Sequence, residues 1–502
     1  MTSENSSASE TVQNSGAEES KSASPGKSKT EKKRQLLGIE PVEKHHELAL
    51  PDKTLKFTSH AGVIPLTDEF GEVEAEIFFT AYTLKTDALR PLVFVFNGGP
   101  GSSSVWLHMG AVGPQKVVME PEGWQPPPPY RFADNPQTWL EQADLVFVDP
   151  VGTGFSRAIN DEKEKKFWSF QGDIESIGTF IRLFLTRYQR WTSPLYLAGE
   201  SYGTTRAAAL SSYLVEQGIN FNGIVLISCA MDLRLVFFGR GDDLPFVLFV
   251  PTYAAAAWYH QKLEPELQGR SLPDFLAEVE TWAERDLTWG LMQGDRLSES
   301  DQQALATTLA RYIGVDVAFT LGSGLRVDIS RFCKELLRSQ KRSVGRFDAR
   351  YTGVEAQTVN DRPDFDPSMY AIEGPFTSTF NDYVRRVLGI ETDLKYEILN
   401  WATNGKWQWD NGELPTTGAE LREAIAKNPF MKVLVAQGYY DLATPHFATD
   451  YMVSHLNLDP TLQANVSTTY YGGGHMFYLD ETCLAAFKSD LDQFLGRSWA
   501  AA

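Results

Sequence analysis

Cysteine is nearly missing from this chain: 502 residues hold only Cys229, Cys333 and Cys483. So small and odd a number excludes a disulfide framework, and no two of the three stand at metal-ligand spacing. Cys229 ends the apolar run Ile224-Val225-Leu226-Ile227 and reads as a buried thiol. Long apolar runs are scarce too. The stretch Leu244 to Tyr253 is interrupted by Pro245 and Pro251 and is too short to span a bilayer, so it reads as the wall of a substrate mouth. The N-terminus lacks the apolar core of roughly 7–15 residues that a secretory signal carries. A cytoplasmic location is therefore expected, with a periplasmic or secreted one if the start has been trimmed. Positive charge is also in deficit. A formal net charge of −19 argues against a nucleic-acid partner, which asks for clustered basic residues on one face.

Apolar material is ample in total. With 42% hydrophobic and 12% aromatic residues, the chain can build an extensive core, as one catalytic domain with an insertion. Residues 1–40 are the exception. They are rich in Ser, Glu and Lys and cannot offset the entropy of ordering, so a disordered tail is expected there. Its basic cluster Lys32-Lys33-Arg34 reads as solvated tail or as a targeting or docking signal.

Beyond the tail, Leu55 to Thr58 and Ala75 to Tyr82 read as antiparallel strands. Apolar runs at 91–96, 144–148, 194–198, 223–228, 432–436 and 466–471, with helical text such as Ile174 to Tyr188 between them, predict a parallel sheet with helices on both faces. The gap from 228 to 432 is too long for one crossover and must hold an insertion, with helix over Leu272 to about Tyr312.

The third of these parallel runs ends on the chain's most informative pentapeptide, Gly199-Glu200-Ser201-Tyr202-Gly203, and helical text follows it. Gly-x-Ser-x-Gly marks a nucleophile when it forms a sharp turn from buried strand to helix. The base and its orienting carboxylate should then follow in the order Ser, Asp or Glu, His. They do. Asp441 stands just past the run 432–436, and His475 follows 466–471 on Gly472-Gly473-Gly474. Ser201, Asp441 and His475 are thus the expected triad. One oxyanion donor is the N–H of Tyr202. The second is expected from Gly99, in the loop Asn97-Gly98-Gly99-Pro100-Gly101 after the run 91–96. This loop lacks the Gly-Lys-Ser/Thr ending of a phosphate cradle.

Four segments in order, Asn97 to Ser104, Asp149 to Ser156, Gly199 to Gly203 and Gly473 to Met476, resemble the signature blocks of the serine carboxypeptidases, peptidase family S10. The chain is similar to a bacterial-type member of that family. The resemblance implies an α/β-hydrolase fold, with a catalytic core over 41–230 and 376–502 and a largely helical cap over 231–375. It implies hydrolysis of C-terminal residues from peptides through an acyl-enzyme, with an acidic preference and no metal or organic cofactor. The implied partners are peptides with a free C-terminus; no membrane span is expected. It also makes Asn97, Gly98 and Glu200, with Met476 beside them, the site for the substrate's terminal carboxylate. A protonated Glu200 could donate to that carboxylate where an ionised one would repel it. The other reading of Glu200 is an ion pair supporting the turn.

Two departures bear on specificity. Ser102 stands where the family usually has a disulfide-bonded Cys, and the second Glu of the carboxylate site falls at Ala111. Triad chemistry should survive both, whereas restriction to free C-termini is less secure. An esterase or acyltransferase on the same fold, or a non-catalytic binding protein, stay open as alternatives. Arg206 reads as a structural ion pair or as a compensating carboxylate ligand.

Overall fold

The computed structural model describes residues 34–499, apart from 87 and 240. Most of the expected tail, including Lys32 and Lys33, lies outside the described residues. Its last part is corrected, because residues 34–40 are held by the folded body. The Arg34 N–H donates to the Ile159 carbonyl at 2.7 Å, and its guanidinium pairs with Asp161 and Glu164. Gly38 donates to Glu76, while Leu37 and Ile39 pack against the core. Arg34 is thus an anchor whose charge is spent on two carboxylates.

Nine strands form the main sheet: β1 (Val42–Ala49), β2 (Thr54–Thr67), β3 (Val73–Leu84), β4 (Leu92–Phe96), β5 (Asp144–Val148), β6 (Leu195–Ser201), β7 (Gly223–Cys229), β8 (Lys432–Gly438) and β9 (Val466–Tyr471). Their spatial order is β1-β2-β3-β5-β4-β6-β7-β8-β9, with the short strand Arg157–Ala158 pairing beside β3. β1 to β3 are antiparallel meanders, and β3 meets β5 antiparallel. From β5 outward every pairing is parallel. β4 and β5 are buried at every position, as strands covered on both faces must be.

That cover comes from amphipathic helices. In α1 (Phe170–Arg187), Ile174, Ile177, Ile181 and Phe184 recur at helical spacing and face the sheet, and the Ser169 hydroxyl caps the start by accepting from the Gly172 N–H. α2 (Tyr202–Val215) and the helix Gly418–Lys427 share that face. The helix Glu481–Trp499 and the apolar residues of Pro367–Asp382 cover the other. A central sheet so ordered, with the serine turn closing β6, is the α/β-hydrolase fold.

Between β7 and β8 the chain leaves the sheet. Its helices, among them Val250–Tyr259, Leu272–Trp282 and Glu299–Ile313, build a separate apolar cluster around Tyr253, Phe275, Leu309 and Phe332. The reading of Leu244 to Tyr253 as a mouth wall is overturned here. The stretch forms the helix Leu244–Leu248 and the start of Val250–Tyr259, and Val247, Phe249 and Tyr253 belong to the cap's core. Pro245 and Pro251 fall in first helical turns, where a missing N–H costs no hydrogen bond. Among the described residues no helix is long and apolar enough to cross a membrane.

Candidate active site

Ser201 closes β6 at φ +60° and ψ −129°, a conformation that L-residues rarely adopt, and Tyr202 opens α2. The turn has no room for side chains at its flanks: a Cβ on Gly199 would sit 2.1 Å from the Gly203 carbonyl oxygen. The serine is thereby lifted onto the wall of a cavity of about 480 Å³, which His475 and Met476 also line.

Asp441 lies behind that wall, fully buried, after the C-terminal end of β8. Its Oδ1 accepts from the N–H groups of Ala443 and Thr444 at 2.7 and 2.9 Å. Its Oδ2 accepts from the Thr444 hydroxyl at 2.7 Å and meets His475 Nδ1 at 2.7 Å. Three donors besides the histidine therefore aim the carboxylate at the ring. The histidine's own backbone is tied at both ends, its N–H to the Phe347 carbonyl at 2.5 Å and its carbonyl to the Ser228 hydroxyl at 2.7 Å. Burial by itself would lower the proton affinity of His475. The charge and hydrogen bond of Asp441 outweigh it and raise the pKa above the usual imidazole value, with help from Glu200 and opposition from Arg346.

The glycine loop after β4 forms another part of the same wall through Asn97, Gly98 and Gly99. A Cβ on Gly98 would lie 2.4 Å from the Tyr202 nitrogen, so only glycine lets the loop come this close to the serine turn. The Gly99 N–H finds no acceptor among the described residues, and the first N–H groups of a helix, such as that of Tyr202, have no intrahelical acceptor. Both N–H groups are thus free for a ligand.

Several side chains hold the loop. Asp149 accepts from the Ser104 N–H and hydroxyl at 2.8 and 2.7 Å and from the Tyr396 hydroxyl at 2.7 Å. Burial pushes its pKa up to about 6 against those bonds. Arg206, read as ambiguous in the sequence, is structural: it bonds Asp173 at 2.8 Å and the Asn97 carbonyl at 2.7 Å and is 1% exposed. Ser102, the departure noted from the disulfide-bonded Cys of the resembled family, accepts from the Trp106 indole at 2.7 Å. The neighbouring backbone is stitched to residues 398–404 instead, through Ser103 N–H to Ile398 O, Asn400 N–H to Gly101 O, and the Asn404 amide to Pro100 O.

Glu200 also faces the cavity, though it is 3% exposed. Asn97 Nδ2 donates to its Oε1 at 2.9 Å, and the Tyr478 hydroxyl donates to its Oε2. Burial raises its pKa to about 7, opposed by His475, Tyr478 and Asn97 and assisted by Asp441. An ion pair supporting the turn is not what Glu200 makes, since no cation is bonded to it among the described residues. Ala111 is fully buried against the apolar core and lines no part of the cavity.

The sequence reading missed the rest of the wall. Arg346, Phe347 and Phe237 come from the insertion and Trp401 and Trp409 from the stretch between it and β8; Phe237, Trp401 and Trp409 give the mouth an aromatic lip. No motif marks them, because only the path of the chain between β7 and β8 brings them here.

Residues 51–260 match the family described as serine carboxypeptidase, Peptidase_S10. The pheromone-processing carboxypeptidase KEX1 of Saccharomyces cerevisiae is 30% identical over 207 residues, which are 38% of this chain and 27% of that protein. The serine carboxypeptidase S10 family member 1 of Dictyostelium discoideum is 27% identical over 179 residues, 35% of this chain and 38% of its own length. The chain thus spans well under half the length of these curated relatives. Among solved structures, a homoserine O-acetyltransferase from Bacillus anthracis aligns over 88% of this chain and 97% of its own, with 12% identity and a TM-score of 0.37. The stretch matched to that family carries the glycine loop, the Asp149 segment and the Ser201 turn.

Proposed function

We propose that this chain is a serine-type carboxypeptidase that removes C-terminal residues from peptides. The observation that carries the reading is the joint presence on one cavity wall of Ser201, the Asp441-bound His475, and a buried carboxyl, Glu200, held by Asn97. Ser201 Oγ attacks the scissile carbonyl while His475 takes its proton, and Asp441 stabilises the imidazolium that forms. The N–H groups of Gly99 and Tyr202 receive the oxyanion. His475 then protonates the departing amino acid, leaving an acyl-enzyme, and water repeats the sequence to release the shortened peptide.

Exopeptidase selectivity comes from Glu200. In its protonated form it donates a hydrogen bond to the substrate's terminal carboxylate; in its ionised form it repels it. Its carboxyl titrates at about 7, so recognition is present below that pH and is lost as pH rises through it. His475 must be neutral to accept the serine proton, so the opposite limb lies on the acid side. Activity on free acids is therefore bell-shaped in pH.

The test uses blocked dipeptides with free or amidated C-termini, together with a fluorophosphonate label. Preference for the free acid below about neutral pH, and labelling that vanishes in Ser201→Ala, support the reading. Equal rates on acid and amide would favour an esterase or acyltransferase, and an unlabelled wild type would favour a binding protein.

A further inference from the structure

Glu200 is held by two neighbours whose roles are fixed by what else they touch. The Asn97 side-chain oxygen accepts from the Leu107 N–H at 3.1 Å. Its amide nitrogen must therefore face Glu200, and Oε1 can only accept from it. Tyr478 is 1% exposed, and its hydroxyl has no partner but Glu200 Oε2 among the described residues. A buried phenol with one neighbour donates to it, because otherwise its proton would be stranded. Each oxygen of Glu200 thus accepts one bond, Oε1 from Asn97 and Oε2 from Tyr478, so the carboxyl group is held at both ends.

The room for this phenol depends on a glycine. Tyr478 follows the catalytic histidine by a short 3-10 turn, Phe477–Leu479, and its ring lies against Gly110. A Cβ at Gly110 would stand 2.8 Å from Tyr478 Cε2. Gly110 is the residue before Ala111, where the resemblance placed a second carboxyl group. A second carboxyl would compete with Glu200 for one proton, as paired acids do. A phenol does not compete in this way: burial and the neighbouring Glu200 hold the Tyr478 proton well above the usual phenol range.

We propose that Tyr478 is a positioning residue: with Asn97 it clamps the Glu200 carboxyl between two donors and so presents it to the substrate's terminal carboxylate. This rests on the carboxypeptidase reading. It gives carboxylate recognition a single-proton alkaline limb. The other groups whose charge or hydrogen bonds act on Glu200 are His475 and Asp441 from the two catalytic loops and Asn97 from the glycine loop.

The experiment measures kcat and KM for matched free-acid and amide substrates from about pH 5 to about pH 9, in the wild type, Tyr478→Phe and Gly110→Ala. In parallel, the Glu200 carboxyl stretch is titrated by difference infrared spectroscopy, with Glu200→Gln as reference. The phenol's bond favours the ionised carboxylate, so losing it leaves Glu200 protonated to higher pH. For Tyr478→Phe we expect the infrared midpoint and the alkaline limb for free acids to move up together. Below the limb, KM for free acids should rise several-fold, while kcat and amide turnover stay unchanged. Gly110→Ala, which pushes on the ring, should act in the same direction. An unmoved infrared midpoint, an unchanged free-acid KM, or equal losses on acid and amide in Tyr478→Phe would overturn the proposal. A wild type that treats acid and amide alike would instead overturn the carboxypeptidase reading, and with it the substrate-reading half of this one, while the infrared midpoint still decides whether Tyr478 governs Glu200.

Discussion

Two carboxyl groups serve the same cavity and are furnished in different ways. Asp441 is removed from the cavity and receives four hydrogen bonds, one of them from the imidazole it orients. Glu200 stands on the cavity wall with two, and burial lifts its pKa to about 7. The first is surrounded by donors that fix its orientation; the second is left under-solvated, and burial raises its proton affinity. Donor count and access to the cavity, rather than residue type, distinguish the two carboxyls, and on the proposed function they separate the group that helps move protons from the group that reads the substrate.

The strongest way to break this contrast is on the Asp441 side. Asp441→Asn should lower kcat by on the order of 10⁴-fold, with KM nearly constant, because the amide favours the wrong imidazole tautomer. Steady-state kinetics should show the same factor on free-acid and amide substrates; a loss confined to free acids would reverse the assignment of the two carboxyls.

Arg206 tests how far the reading side depends on its support. Replacing it by Met leaves Asp173 buried without its cation, and thermal unfolding should register a loss of about 3–5 kcal/mol. The Asn97 carbonyl also loses its donor, so KM for free acids should rise while fluorophosphonate labelling of Ser201 persists.

Glu200→Gln sharpens the contrast. The amide keeps a donor for the terminal carboxylate at every pH, so the alkaline limb should vanish. With the wild-type group at about 7, only about one thirtieth of it is protonated at about pH 8.5, and the variant should outperform the wild type on free acids there by up to that factor. A limb that persists in the variant would mean that another group reads the carboxylate.

The smallest effect is expected at Arg346, whose charge lowers the proton affinity of His475. In Arg346→Gln the His475 pKa rises, and the acid limb of kcat/KM moves to higher pH. Because Arg346 is solvent-exposed, the difference from wild type should shrink as salt is added.

The two sides also differed in legibility. Strands buried on both faces must be written as continuous apolar runs, and catalytic groups on this fold sit where such runs stop. Ser201, Asp441 and His475 therefore stood out by position alone, and the structure brings Asp441 and His475 to 2.7 Å. Tyr478 carried no such mark. It is an aromatic residue three places after a histidine, and its meeting with Glu200 depends on a space at Gly110 that has no local signature. The stretch Leu244 to Tyr253 was misread for a different reason. Pro245 and Pro251 looked like breaks in an apolar lining, whereas they begin helices whose apolar faces seal the cap. The end of the tail was misjudged because Arg34 binds through two acidic partners more than a hundred residues away in sequence.

The backbone stitching between the glycine loop and residues 398–404 has a consequence for redox behaviour. The oxyanion loop is braced by amide, carbonyl and hydroxyl groups, and all three cysteines are buried free thiols. A thiol reductant has no bond to cut near this site, and an oxidant has no nearby pair of sulfurs to join. The catalytic geometry should therefore be indifferent to the thiol–disulfide poise around it, with the same kcat/KM in dithiothreitol as in air.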